Sequence, residues 1–98
     1  MDDELLRMKN LGKTSAQWLH AAGIHKTADL RRLGSIQAYQ AVKNRGIKAS
    51  KVLLYAIEGA LLDKQWKELQ DDHKDFLNRQ LERRDNEISR HPEAILGK

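Results

Sequence analysis

A short pattern of leucine, glycine and isoleucine occurs twice in the first half of the chain. Residues 8–19, MKNLGKTSAQWL, align with residues 30–41, LRRLGSIQAYQA, and residues 23–30, GIHKTADL, align with residues 46–53, GIKASKVL. Each unit reads as a Leu-Gly turn, a helix with an interior alanine, and a Gly-Ile turn before the next helix. Two units are too few for a solenoid, which needs at least about three repeats. The pattern therefore favours two helical hairpins packed with approximate twofold symmetry.

Glycines and capping residues divide the chain into helices. Gly23 and Gly46 are suited to end helices, because glycine adopts a positive φ without steric cost. Ser50 is suited to cap the apolar run KVLLYAIEGALL, a predicted central buried helix in which Gly59 indicates a close approach by another helix. The predicted helices cover about residues 13–22, 28–33, 36–45, 51–62 and 71–89.

These helices predict an all-α fold, a compact bundle of about five to six helices in a single domain over residues 1–98. Two pseudo-repeated hairpin units form its core over residues 5–62, a C-terminal amphipathic helix occupies residues 63–90, and residues 91–98 are expected to fray. The composition agrees with this prediction, because a single proline leaves few breaks in a chain rich in good helix formers.

The residue types that are missing argue against several kinds of protein. The chain has no cysteine, which excludes disulfides and thiolate chemistry. No apolar run approaches the roughly 18 residues of a membrane span, and the acidic start MDDELLRM lacks the pattern of a signal peptide, so we expect a cytoplasmic protein. No histidine has an i, i+4 histidine partner, and no nucleophile–base constellation stands out. We therefore expect no metal, no cofactor and no enzymatic activity.

The basic residues are concentrated in the first half of the chain. Residues 5–57 contain ten lysines and arginines but only one acidic residue, Asp29, whereas residues 58–98 contain eight basic and ten acidic residues. A basic block of this kind favours an anionic partner such as nucleic acid. The alternative is a lysine-rich surface that serves solubility alone.

The stretch KNLGKT is the best candidate for a phosphate site. A helix start leaves unpaired amides and a partial positive charge, which together favour an anion. Asn10 tolerates the left-handed region, Leu11 is expected to enter the core, and Gly12 lets a phosphate approach the backbone. The alternative is that this turn only connects two packed helices. The candidate DNA-backbone-binding residues are Lys9, Asn10, Gly12, Lys13, Arg31, Arg32, Lys43, Arg45, Lys48 and Lys51.

A thin apolar stripe near the C terminus indicates a second possibility, a protein-interaction module that docks a transcription factor or self-associates. Its residues are Trp66, Leu69, Phe76, Leu77 and Leu81.

The turn resembles the helix-hairpin-helix motif, which binds the DNA backbone without base specificity. The longer order NLGKTSAQWLHAAGIHKTADLRRLGSIQAYQAVK, followed by LLYAIEGALLDKQWKEL, is similar to the C-terminal domain of the TfoX/Sxy family. The matching positions run from Leu11 and Gly12 through Gly34 and Tyr39 to Trp66. The resemblance implies a small all-α, DNA-associated domain of competence regulators, which have the cyclic-AMP receptor protein as a partner.

Overall fold

The computed structural model describes the backbone of residues 3–96 and the side chains of residues 3–84. Four α-helices and two 3-10 turns make up this part of the chain, and it contains no strand, so the predicted all-α class is confirmed. The helices are α1 (Lys13–Ala21), α2 (Thr27–Asn44), α3 (Lys51–Leu62) and α4 (Asp71–Leu96), and the 3-10 turns are Glu4–Arg7 and Trp66–Glu68. None of the helices described here is long and apolar enough to cross a membrane.

The helix count differs from the predicted five to six because of Gly34. The sequence predicted separate helices over residues 28–33 and 36–45, and α2 contains both of them, joined across a kink at this glycine. Gly34 adopts φ 79° and ψ 168°, a conformation that a residue with a Cβ atom rarely takes. Gly34 therefore separates two helical segments, as the sequence predicted, and α2 counts them as one element.

The two repeats agree at one glycine pair and differ at the other. Gly23 and Gly46, which align in the sequence, both lie just after a helix end with φ 86°. Gly12 and Gly34 also align, but Gly12 is extended with φ −95° whereas Gly34 is left-handed. The helix ends therefore repeat in conformation, and the helix starts do not.

Helix α3 forms the centre of the fold, as its apolar sequence predicted. Leu54 and Ile57 are fully buried, and α2 packs along α3. Ser50 caps α3 as predicted, because its hydroxyl accepts a hydrogen bond from the Val52 amide. The other buried residues of α3 are Leu53, Ala56, Gly59 and Ala60.

Helix α4 supplies part of the same core. Leu77 and Leu81 are buried, and Leu69 is buried just before the helix begins. The helix extends to Leu96, beyond the predicted end near Ser89. The predicted fraying of residues 91–98 stays a prediction, because the side chains of this segment and its last two residues lie outside the described part of the chain.

The first 3-10 turn, which the sequence did not predict, attaches the amino-terminal segment to the rest of the fold. Leu5 is fully buried. The Glu4 carboxylate accepts hydrogen bonds from the amide and the hydroxyl of Thr27, at 2.7 Å and 3.0 Å, and so caps α2. These two hydrogen bonds hold the pKa of Glu4 below its usual value of 4.5.

We expect a Glu4→Gln variant to lose part of the acid sensitivity of folding. Because the pKa of Glu4 is lower in the folded chain, its contribution to stability is present above pH 4.5 and is lost as the pH falls through the lowered pKa. Glutamine keeps an acceptor oxygen but does not titrate. Thermal unfolding followed by circular dichroism should therefore show a smaller drop in Tm between about pH 7 and about pH 3 for the variant. Equal drops would contradict this role of Glu4.

Candidate nucleic-acid interface

The turn before α1 is held by the side chain of Asn10. Asn10 has φ 72°, the predicted left-handed conformation. Its Nδ2 donates hydrogen bonds to the carbonyl oxygens of Ala56 and Lys64, at 3.3 Å and 2.7 Å. Its Oδ1 accepts a hydrogen bond from the Trp66 amide at 3.0 Å. The side chain of Asn10 therefore fixes the turn to the end of α3, and all its described contacts are within the protein.

Gly59 provides the space for this contact. A Cβ atom at Gly59 would lie 2.6 Å from Asn10 Nδ2 and 2.8 Å from the Lys64 carbonyl oxygen. The close approach expected at Gly59 is therefore present, but its partners are the amino-terminal turn and the chain after α3 rather than a second helix.

Lys9 also contacts the end of α3. Its Nζ donates a hydrogen bond to the Asp63 carbonyl oxygen at 3.2 Å and lies 3.7 Å from the Asp63 carboxylate. About half of the Lys9 side chain remains exposed. Lys9 thus helps to position the turn, and part of its charge is already balanced by Asp63.

The start of α1 is open to solvent. Gly12 is the N-cap residue, so it offers no side chain to cap α1, and a Cβ atom there would meet nothing within 4 Å. Lys13 and Thr14, the first two helical residues, are exposed. By contrast, Glu4 caps the start of α2 and Ser50 caps the start of α3. Within residues 3–84, the first amides of α1 thus have no side-chain acceptor, and Lys13 lies beside them.

The other basic candidates lie in two regions separated by α3. Arg31 shares a groove of about 600 Å³ with Glu4, Arg7 and Asp63, near the turn. The second region lies around the connection from α2 to α3, at the other end of α3. It contains Lys43, Arg45, Lys48 and Lys51. Because the 12 residues of α3 rise about 1.5 Å each, the two ends of this helix are about 18 Å apart. The ten candidates therefore do not form one continuous patch.

Eight of the ten candidates are cations, and three of them besides Lys9 have contacts within the protein. Lys51 Nζ donates to Asn78 Oδ1 at 2.6 Å, Arg32 lies 3.5 Å from the Asp29 carboxylate, and Lys43 lies 5.8 Å from the centre of the Tyr39 ring. Each of these cations remains exposed.

The apolar stripe predicted as an interaction surface is mostly part of the interior. Leu69, Leu77 and Leu81 are buried, and Trp66 is half-buried with its ring roughly parallel to that of Tyr55. Phe76 is the exception, because its side chain is 56% exposed. It lines a groove of about 520 Å³ together with Leu33, Ile36, Leu77, Arg83 and Arg84.

A polar cluster under this groove joins α2, α3 and α4. The hydroxyl of Ser35 donates a hydrogen bond to Glu58 Oε1 at 2.7 Å, and His73 Nε2 lies 2.7 Å from Glu58 Oε2. Glu58 therefore has partners on both sides, which agrees with a satisfied glutamate. The carboxylate lies between the hydroxyl and the imidazole, an order unlike that of a serine nucleophile activated by a histidine base. Periodicity gave no signal for this cluster, because its members lie on three helices.

No group of three or more histidine, cysteine, aspartate or glutamate side chains within the described range is arranged to hold a metal ion.

Comparison with known proteins identifies one family. The family model of the TfoX C-terminal domain matches residues 1–81. No curated protein matches the chain. An uncharacterized protein from Listeria monocytogenes, solved in a triclinic crystal form, is 31% identical and superimposes with a TM-score of 0.72 over 76% of this chain and 84% of that one. A Listeria monocytogenes protein of unknown function in a tetragonal form has the same identity and TM-score, with 76% of this chain and 93% of that one covered.

Proposed function

Because this chain belongs to the family of TfoX C-terminal domains, we propose that it is a non-enzymatic, DNA-associated regulatory module that contacts the DNA backbone through the turn before α1. The observation that carries this proposal is the uncapped start of α1, with Gly12 open to solvent and Lys13 exposed beside it. Amides at a helix start and an adjacent ammonium group are suited to a phosphate oxygen.

The rigidity of the turn supports the same proposal. The hydrogen bonds of Asn10 and the contact of Lys9 with Asp63 hold the backbone in place before any ligand arrives. A phosphate therefore binds without a further cost for ordering the loop. Since these contacts would involve phosphates and not base edges, binding is expected to be weak, independent of sequence and sensitive to salt.

The test is fluorescence anisotropy of labelled duplex DNA at two salt concentrations with two matched variants. Lys13→Glu changes the charge beside the open amides, and Lys48→Glu makes the same charge change near the other end of α3. We expect Lys13→Glu to weaken binding about three- to tenfold and to lower the salt slope by about 1, and Lys48→Glu to do less. Lys9→Glu is less suitable, because it would also place a carboxylate against Asp63.

Two outcomes count against the turn. Equal weakening by both variants would mean that overall charge, rather than this turn, attracts DNA. The absence of any anisotropy change at low salt, with both variants folded by circular dichroism, would leave Gly12 as a structural residue.

A second candidate is a protein-interaction module, which is favoured by the exposed ring of Phe76 in its partly apolar groove. The resemblance to competence regulators makes the cyclic-AMP receptor protein the first partner to test. Phe76→Ser should abolish such binding and leave DNA binding unchanged. Lys13→Glu should weaken DNA binding and leave binding of the partner protein unchanged.

A further inference from the structure

Three titratable side chains form a chain of short contacts at the junction of the amino-terminal segment, α1 and α2. The Asp3 Oδ2 atom lies 2.7 Å from His20 Nε2, and His20 Nδ1 lies 2.7 Å from His25 Nδ1. His20 belongs to the last turn of α1, and His25 follows in the connection to α2. Asp3 precedes the first 3-10 turn and also accepts a hydrogen bond from the Leu5 amide. The trio therefore joins three parts of the chain.

The two imidazole rings meet through their nitrogen atoms. Their centroids are 4.9 Å apart and their planes differ by 20°. The centroid distance exceeds the 2.7 Å nitrogen–nitrogen distance by about two ring radii, so the Nδ1 atoms lie near the line that joins the ring centres. This is the geometry of an N–H···N hydrogen bond rather than of rings stacked face to face.

Such a contact limits how many protons the trio can hold. With Asp3 ionised, His20 Nε2–H donates to the carboxylate, and His25 Nδ1–H donates to the unprotonated Nδ1 of His20. One further proton can bind at His25 Nε2, which leaves both hydrogen bonds in place and makes the trio neutral. If the trio takes up another proton after that one, the proton must bind at His20 Nδ1. The two Nδ1–H groups then face each other, and two imidazolium charges lie side by side.

We propose that Asp3, His20 and His25 form a proton-operated latch, which holds His25 and the α1–α2 connection against α1 and opens when the trio takes up its second additional proton. The released part is the connection that carries His25. The contact between Asp3 and His20 persists, because imidazolium donates to a carboxylate more strongly than neutral imidazole does.

Charged residues flank the trio in the sequence, since Glu4 follows Asp3 and Lys26 follows His25. The Glu4 carboxylate is already bonded to Thr27, and Arg7 and Lys26 act on it electrostatically. Arg31 of α2 shares the groove with Glu4 and Arg7. An unperturbed histidine changes charge between about pH 5 and 8, which sets the pH range for the test.

The test combines imidazole 15N NMR with amide hydrogen exchange between about pH 7.5 and about pH 5. In the parent protein, His20 and His25 should titrate as a coupled pair in two steps. Exchange of the Ile24 and Thr27 amides, corrected for the intrinsic effect of pH, should become about tenfold faster at the lower pH. In His25→Ala, His20 should titrate in a single step and the pH-dependent change in exchange should disappear.

His73→Gln is the matched control, because it also removes one histidine, and His73 contacts Glu58 rather than the trio. It should leave the two-step titration and the exchange rates as in the parent. The latch is refuted if His20 and His25 titrate independently, with curves that do not change when the other is replaced. Exchange of Ile24 and Thr27 that stays constant across the pH range would also refute it. Because His25 is exposed, we expect its replacement to leave the fold intact.

Discussion

A Gly59→Ala variant is expected to lose about 2–3 kcal/mol of unfolding free energy, the range of an overpacked interior site. The added methyl group would lie 2.6 Å from Asn10 Nδ2, 2.8 Å from the Lys64 carbonyl oxygen and 3.3 Å from the Trp66 Cα atom. Two of these three neighbours are backbone atoms, which cannot rotate away. The higher helix propensity of alanine, about 1 kcal/mol relative to glycine, offsets only part of this cost.

Gly12→Ala is the matched control for this variant. A methyl group at Gly12 meets nothing within 4 Å, and φ −95° suits alanine, so the change in stability should be small. Urea denaturation with constant m-values gives both free energies. A double variant with Asn10→Ala should show non-additive effects, because Asn10 Nδ2 is the nearest atom to the new methyl group. Full tolerance of Gly59→Ala would contradict the close approach.

A Leu77→Ala variant is expected to lose about 2–4 kcal/mol, the usual cost of truncating a buried leucine. Leu77 is 2% exposed in the core, although it belongs to a helix whose composition is strongly polar. The adjacent Phe76 is 56% exposed, so Phe76→Ala should change stability by less than about 0.5 kcal/mol. Comparing the stabilities of the Leu77→Ala and Phe76→Ala variants therefore tests whether α4 is part of the core, because the two residues are neighbours in one helix.

Chemical denaturation of these two variants distinguishes the alternatives directly. If Phe76→Ala costs as much as Leu77→Ala, then the exposed ring contributes to folding and is a weaker candidate for a docking surface. If neither variant changes stability, α4 does not contribute to the core as described.

The helices were predictable because their signals are local. Gly23, Gly46 and Ser50 mark helix boundaries through backbone conformation and capping, which depend on a few neighbouring residues. The burial of Leu11 and the left-handed conformation of Asn10 followed for the same reason. The break at Gly34 inside α2 was predictable in the same way, because a glycine with positive φ interrupts helical backbone geometry.

The tertiary contacts of polar side chains were not predictable in this way. Asn10 was expected only to allow a left-handed backbone in its turn, yet its side chain also bonds to residues 46 to 56 positions later in the sequence. Leu69 and Leu77 were candidates for a partner surface because their stripe is thin, and the structure places them in the interior. Periodicity identifies an apolar face, but it does not identify what covers that face.

The long-range contacts of Asn10 also set an order of events during synthesis. The turn lies near the amino terminus, but its anchors, Lys64 and Trp66, are made more than fifty residues later. A nascent chain that has emerged only through α2 therefore lacks the groups that fix this turn. The conformation proposed for DNA binding becomes available only after Trp66 has left the ribosome, and a chain that stops before this residue cannot present it.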